Sequence, residues 1–127
     1  MKVILIDSAN HTVTEAESTG LETLQELVGG YIETAYRFEG EDGTETDTVF
    51  VNEEGLLHGE ENFFVLKGAH QPFAGNGVVV GFDPEEGSHK DTTQSLSGIK
   101  ERVTFHTRQE IRRFPDRFLP DPEIWDV

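Results

Sequence analysis

The stretch T-G-L-E-T-L-Q-E-L-V-G-G-Y-I-E-T-A-Y-R-F, residues 19–38, decides the fold. Its first half predicts a helix, because Thr19 and Glu22 have the spacing of a capping box and Gly29 and Gly30 follow the last apolar residue. Its second half is rich in aromatic and β-branched residues and predicts a strand. A helix followed directly by a strand indicates an α+β fold. The expected apolar face of the helix comprises Leu21, Leu24, Leu27 and Val28.

Short hydrophobic runs on both sides of this stretch predict further strands. Residues 2–6 are apolar on both faces, so we expect a strand buried on both sides, followed by an exposed edge strand at residues 11–17. Residues 48–52, 78–82 and 102–107 predict three more strands. Together these elements predict a small mixed, mainly antiparallel sheet with one well-defined helix and one or two short helices.

The remaining segments are predicted to form short helices and loops. One helix is expected to begin at a cap provided by Thr92 or Thr93, and another to cover residues 109–114. Residues 39–47 predict an acidic loop that lacks the ligand spacing of a calcium-binding loop. Residues 56–69 show no clear pattern.

The chain is expected to form one α+β domain at residues 1–107 and a Pro- and aromatic-rich C-terminal segment at residues 108–127. Pro115, Pro120 and Pro122 are expected to exclude regular structure after residue 114, yet the side chains there are too apolar for a free linker. We therefore expect it to dock on the domain or on a neighbouring subunit, which would make a homo-oligomer.

The composition excludes several classes of protein. Because there is no cysteine, the chain has no disulfide, no thiolate metal site and no catalytic thiol. Its N-terminus has too short an apolar run for a signal peptide or a membrane span, so we expect a cytoplasmic location and no membrane contact. The net charge of −15, from 25 acidic and 10 basic residues, argues against direct nucleic-acid binding. Solubility, adaptation to high salt and mimicry of nucleic acid remain open explanations for the acidity.

The basic residues are concentrated late in the chain. Residues 1–98 carry 19 acidic and 4 basic side chains, whereas the remaining residues carry 6 of each. Arg108, Arg112, Arg113 and Arg117 lie within ten residues, and a helix would place the first two on one face. These arginines either pair with the acidic body or a neighbouring subunit, or form an anion-binding patch.

No motif of an enzyme or a metal site appears. The five histidines lack the paired spacing of a zinc site, and the compact group of His58, Glu60 and Glu61 is typical of a solvated turn. Gly75 and Gly77 precede a predicted strand, so they offer no helix N-terminus to a phosphate. We therefore expect no catalytic residue, no metal and no cofactor.

Four segments of the chain resemble a known family: the opening M-K-V-I-L-I-D, L-x-x-L-Q-E-L-V-G-G-Y-I-E from position 21, V-N-E-E-G from position 51, and G-N-G-V-V-V-G from position 75. They are similar to the domain of unknown function numbered 3846, met in phages, plasmids and mobile regions of bacteria and archaea. The resemblance covers roughly residues 1–105 and implies an accessory protein of mobile elements. It implies no particular activity and no catalytic residues. Its recurring polar positions, which are candidate binding residues or alternatively residues that make turns and cap strands, correspond to Tyr31, Glu33, Asn52, Glu53 and Glu54.

The first functional hypothesis is a non-enzymatic accessory protein that binds a host or phage protein. Its acidic surface would act as a decoy for basic sites that normally contact nucleic acid, for example to blunt a defence system.

The second hypothesis is a binder of a small anionic ligand such as a nucleotide. Arginines would hold the anion and a tyrosine would stack on the base. The candidate residues are Arg108, Arg112, Arg113 and Arg117, with Tyr31, Tyr36 or an aromatic residue of the C-terminal segment for stacking.

The third hypothesis is a metal-assisted hydrolase. It would use His58, Glu53 and Glu54, the last two of which directly follow a predicted strand.

Overall fold

Nine strands and four helices make up residues 1–55 and 59–118, the part of the chain that the computed structural model describes. The α+β class is confirmed. In chain order the elements are β1 (Lys2–Asp7), β2 (Thr12–Glu17), α1 (Leu21–Val28), β3 (Ile32–Glu39), β4 (Glu45–Asn52), β5 (Asn62–Leu66), β6 (Phe73–Ala74), β7 (Gly77–Asp83), β8 (Ser88–Lys90), α2 (Leu96–Arg102), β9 (Val103–Thr107), α3 (Arg108–Arg113) and α4 (Pro115–Phe118).

The strands form two sheets. Sheet A has the order β2-β1-β7-β4-β3, with β8 beside β7, and sheet B has the order β6-β5-β9. Every pairing among the described strands is antiparallel. The edge position predicted for the second strand is confirmed, because β2 pairs only with β1 in the described part of the chain. Sheet B is built around β5, which lies in the segment without a clear sequence pattern.

The elements stack in four layers: α1, sheet A, sheet B, and the pair α3 and α4. The two sheets enclose the main core together with Ile99 of α2. α1 covers the outer face of sheet A through Leu24 and Val28, and α3 covers the outer face of sheet B through Ile111. This order explains why β1 is apolar on both faces: Ile4 and Ile6 face sheet B, whereas Val3 faces α1. Full burial of each such side chain contributes about 1.5–3 kcal/mol.

The start of α1 differs from the predicted capping box. The N-cap is Gly20, which has no side chain that could accept a hydrogen bond from the first turn of the helix. The Thr19 hydroxyl lies 2.9 Å from the hydroxyl of Thr23, one position beyond Glu22, so the two threonines bind each other instead of the helix end. Leu21, which the sequence predicts on the apolar face, is instead 58% exposed, and the buried residues of the helix are Leu24 and Val28.

The end of α1 agrees with the prediction. Gly29 is left-handed with φ of 84°, which favours glycine, and its N–H donates to the Gln25 carbonyl at 2.8 Å. Gly30 N–H donates to the same carbonyl at 3.0 Å. These two bonds satisfy the end of the helix and direct the chain into β3.

Asp47 lies fully buried in β4 instead of in the predicted acidic loop, because β4 begins at Glu45, three residues earlier than expected. Its carboxylate accepts hydrogen bonds from the Thr92 hydroxyl at 2.7 Å and from the Thr93 N–H at 3.0 Å, and it also contacts the Thr93 hydroxyl. Thr92 and Thr93 were predicted to cap a helix. They instead join the segment before α2 to the middle of sheet A.

The caps of α2 and α3 are provided by other hydroxyls. Ser95 Oγ accepts from the Gly98 N–H at 3.0 Å at the start of α2, and Thr107 Oγ1 accepts from the Glu110 N–H at 3.1 Å at the start of α3. None of the helices in the described ranges is long and apolar enough to cross a membrane.

Candidate functional site

The polar positions implied by the resemblance lie together at the open end of the β3–β4 hairpin, beside the end of α1. The Glu53 N–H donates to the Tyr31 carbonyl at 2.9 Å, and Glu33 and Asn52 lie on the paired strands β3 and β4. We call the group of Tyr31, Glu33, Glu53 and Glu54 the acidic corner.

Asn52 gives the acidic corner its shape. Its Oδ1 accepts from the Glu54 N–H at 2.9 Å, and its carbonyl accepts from the Gly55 N–H at 3.1 Å, which closes a turn. Its side chain also packs against Gly30, where an added Cβ would lie 2.8 Å from Asn52 Nδ2. The contacts of Asn52 are those of a turn-forming residue. The residues of the acidic corner around it are exposed on the surface of the protein.

Tyr31 provides the apolar part of this surface. It is 68% exposed, which is unusual for a large aromatic residue of a folded domain. Glu33 and Glu53 are also exposed, and neither forms an ion pair with a residue that the structure describes. An exposed aromatic ring beside carboxylates combines contact area with charge, two features that protein partners recognise.

The second group of predicted residues lies on α3 and α4, which cover the outer face of sheet B. Arg112, Arg113 and Arg117 are exposed around Phe114, which is 45% exposed. The guanidinium carbons of Arg113 and Arg117 lie 5.6 and 5.5 Å from the centre of the Phe114 ring, within the range of a cation–π contact. We call Arg112, Arg113, Phe114 and Arg117 the arginine patch.

Arg108 does not share the exposure of the arginine patch. Its Nε donates to the Glu60 carbonyl at 2.9 Å, and its guanidinium carbon lies 5.3 Å from the centre of the buried Phe63 ring. Its backbone N–H donates to the Glu61 carbonyl at 3.0 Å. These contacts fasten the start of α3 to β5 and to the segment before it.

His106 ties α3 and α4 to sheet B. Its Nδ1 lies 2.5 Å from Glu110 Oε1, its Nε2 lies 2.9 Å from the Thr104 hydroxyl, and its ring centre lies 4.6 Å from that of Phe118. Glu110 is thereby engaged by the histidine. This pair is absent from the residues predicted from the sequence, although its i, i+4 spacing is a recognisable signal.

The described surface also contains depressions large enough for a small ligand. One of about 550 Å³ lies on the outer face of sheet A, where Arg37 Nε pairs with Glu45 Oε1 at 2.7 Å and the His89 ring lies edge-on to Phe50. Another of about 340 Å³ lies beside α4 and is lined in part by Arg117. Tyr36, predicted to stack on a ligand, instead packs against the core between the sheets, and its hydroxyl accepts from Arg102 at 3.4 Å.

The carboxylates predicted for the metal-assisted hydrolase lie in the turn after β4. His58, their predicted companion, lies outside the described residues. Within residues 1–55 and 59–118, no group of three His, Asp or Glu side chains could hold a metal ion.

Comparison with known proteins identifies the family of the chain. No curated protein and no solved structure matches the chain. A family model described as a domain of unknown function matches residues 1–104, from β1 into β9, and so includes the whole acidic corner and ends before the arginine patch. The match confirms the resemblance noted in the sequence, and the chain belongs to this family, DUF3846.

Proposed function

We propose that this protein is a non-enzymatic, cytoplasmic accessory protein of a phage or another mobile element, and that it acts by binding a basic protein partner. The observation that carries the proposal is the acidic corner, where the exposed residues Tyr31 and Glu53 are joined by a backbone hydrogen bond and Glu33 follows two positions after Tyr31. A tyrosine supplies large contact area at a low entropy cost, and the carboxylates select a basic surface.

The charge of the whole chain supports the same partner class. A net charge of −15 attracts basic proteins over distances comparable to the Debye length, about 8 Å at physiological ionic strength. A basic surface that normally contacts nucleic acid has the matching charge. Occupation of such a surface would block nucleic-acid binding, which is the action expected of an anti-defence protein.

The test uses a labelled Lys- and Arg-rich peptide that also binds DNA, with fluorescence anisotropy as the readout. We expect the Glu53→Gln, Glu54→Gln double variant to bind it more weakly than the protein with Glu85→Gln and Glu86→Gln, which removes two exposed acidic side chains from the β7–β8 turn. Tyr31→Ala should weaken binding by about five-fold or more, the effect of losing an interface anchor. Equal losses in both double variants would mean that only net charge matters and would refute a site at the corner.

The binder of a small anionic ligand is a second candidate. It is favoured by the depression beside α4, where Arg117, His70 and Gln71 can donate hydrogen bonds. Asp116 and the apolar ring of Phe118 also line this depression. Native mass spectrometry of the purified protein, beside a denatured extract, would read both a retained ligand and a homo-oligomer. A stoichiometric nucleotide-like mass that is lost in Arg117→Gln would favour this candidate over partner binding.

A further inference from the structure

We infer that the arginine patch is a docking surface for an acidic segment of a partner protein. This surface has the opposite charge from the acidic corner and lies on the helices that cover the outer face of sheet B. It would therefore bind a different partner from the one proposed above. The partner segment is defined by its chemistry: two or more carboxylates spaced to reach neighbouring guanidinium groups, next to an apolar side chain that packs on Phe114.

The first reason is that these arginines form no ion pair within residues 1–55 and 59–118, although the chain is rich in carboxylates. The protein has 25 acidic residues, yet Arg112, Arg113 and Arg117 pair with none of those that the structure describes. The acidic residue within α3, Glu110, contacts His106 instead. The guanidinium groups therefore keep their hydrogen-bond donors available for carboxylates from another molecule.

The second reason is that the arginine patch is held in place by contacts beneath it. Ile111 is fully buried against sheet B, and Arg108 fastens the start of α3 through its bond to the Glu60 carbonyl. Because the supporting helix is fixed by packing, binding would order only the exposed side chains. A surface that is organised in advance loses less entropy on binding.

The third reason is the arrangement around Phe114. Two guanidinium groups lie against the same ring, which restricts the side chains of Arg113 and Arg117 and leaves the ring half-exposed between them. Arginine and aromatic residues are enriched at the energetic centres of protein interfaces. Planar guanidinium groups also bind carboxylates with two parallel hydrogen bonds.

The acidic body of the protein does not prevent this docking. At physiological ionic strength, exposed charges further away than about 8 Å are largely screened. The local charge of α3 and α4 is positive, because their four arginines outnumber Glu110 and Asp116.

The experiment measures binding of a short labelled peptide of glutamate, aspartate and leucine to the full chain by fluorescence anisotropy. A matched peptide with glutamine and asparagine serves as the uncharged probe. The test variant carries Arg112→Gln, Arg113→Gln and Arg117→Gln. The control variant carries Lys67→Gln, Lys90→Gln and Lys100→Gln, which removes the same charge from exposed sites elsewhere.

We expect the acidic peptide to bind and the uncharged peptide not to bind. The triple arginine variant should lose about ten-fold in affinity and the triple lysine variant less than about two-fold. Binding of the basic peptide at the acidic corner should stay unchanged in the arginine variant, so that failure of one surface is separable from failure of the other.

Four results would overturn the inference. The first is equal loss of affinity in the two triple variants. The second is displacement of the peptide by inorganic phosphate at comparable concentration, which would indicate a small-anion site. The third is an oligomer that only the arginine variant dissociates, which would make a second copy the occupant. The fourth is tighter peptide binding by the full chain carrying Asp121→Asn, Glu123→Gln and Asp126→Asn, which would make the chain's own C-terminal residues the occupant.

Discussion

The acidic corner and the arginine patch each combine one exposed aromatic residue with charged side chains, but different interactions hold the two surfaces in place. The acidic corner is shaped by the backbone: a turn at Asn52 and the glycine end of α1 bring separate strands together. The arginine patch is shaped by side-chain packing beneath a short helix, through Ile111 and Arg108. A six-residue helix has little stability of its own, so the patch depends on tertiary contacts more than the corner does.

The largest expected effect comes from removing the packing beneath the arginine patch. Ile111→Ala deletes buried methyl groups from the contact between α3 and sheet B, and it should lower the free energy of unfolding by about 2–5 kcal/mol. Denaturant unfolding measures the loss. The acidic peptide should then bind much more weakly, while the basic peptide keeps its affinity as long as the domain is folded. Ile111→Val, which retains most of the volume, should lose only about 0.5–1.5 kcal/mol.

The next effect comes from the Arg108 anchor. Arg108→Met keeps much of the side chain's length but removes the donor to the Glu60 carbonyl and the guanidinium over Phe63, and it should lower the free energy of unfolding by about 1–2 kcal/mol. Arg112→Met, an exposed arginine on the same helix, is the matched control and should change stability by less than about 0.5 kcal/mol. Similar losses in the two variants would contradict the division between anchor and patch.

The corresponding change at the acidic corner is Gly30→Ala. The new methyl group would lie 2.8 Å from Asn52 Nδ2, so Asn52 must move and weaken its bond to the Glu54 N–H. We expect a loss of about 1 kcal/mol, measured by denaturant unfolding, and weaker binding of the basic peptide. If the clash is the cause, Asn52→Gly combined with Gly30→Ala should be less destabilising than the sum of the single variants. Additive effects would contradict this contact.

The sequence predicted the parts of the fold that depend on local patterns. The glycine end of α1, the edge strand β2 and the doubly buried strand β1 each follow from neighbouring residues. Sheet B could not be predicted from the sequence. Its central strand β5 pairs with β9, about forty residues later, and the residues of β5 show no clear strand pattern.

Errors in the predicted details have the same origin. Asp47 looks like part of a solvated loop because its neighbours are acidic, and its burial is explained by hydrogen bonds from the distant residues Thr92 and Thr93. For the candidate surfaces, the sequence identified the charges of the acidic corner and the arginine patch. It did not separate the anchoring Arg108 from the exposed Arg112 and Arg113, because the difference depends on what lies beneath α3.

The smallest expected effect tests whether the helix packing alone positions the arginine patch. Glu110→Gln replaces the carboxylate that contacts His106 by a neutral amide of the same shape. Since Glu110 is 44% exposed, the loss in unfolding free energy should be only about 0.5 kcal/mol. The same substitution removes the acidic residue of α3, so the acidic peptide should bind slightly more tightly. Weaker peptide binding together with unchanged stability would show that the contact between Glu110 and His106 itself orients the arginines, and the arginine patch would then depend on this polar contact as well as on buried packing.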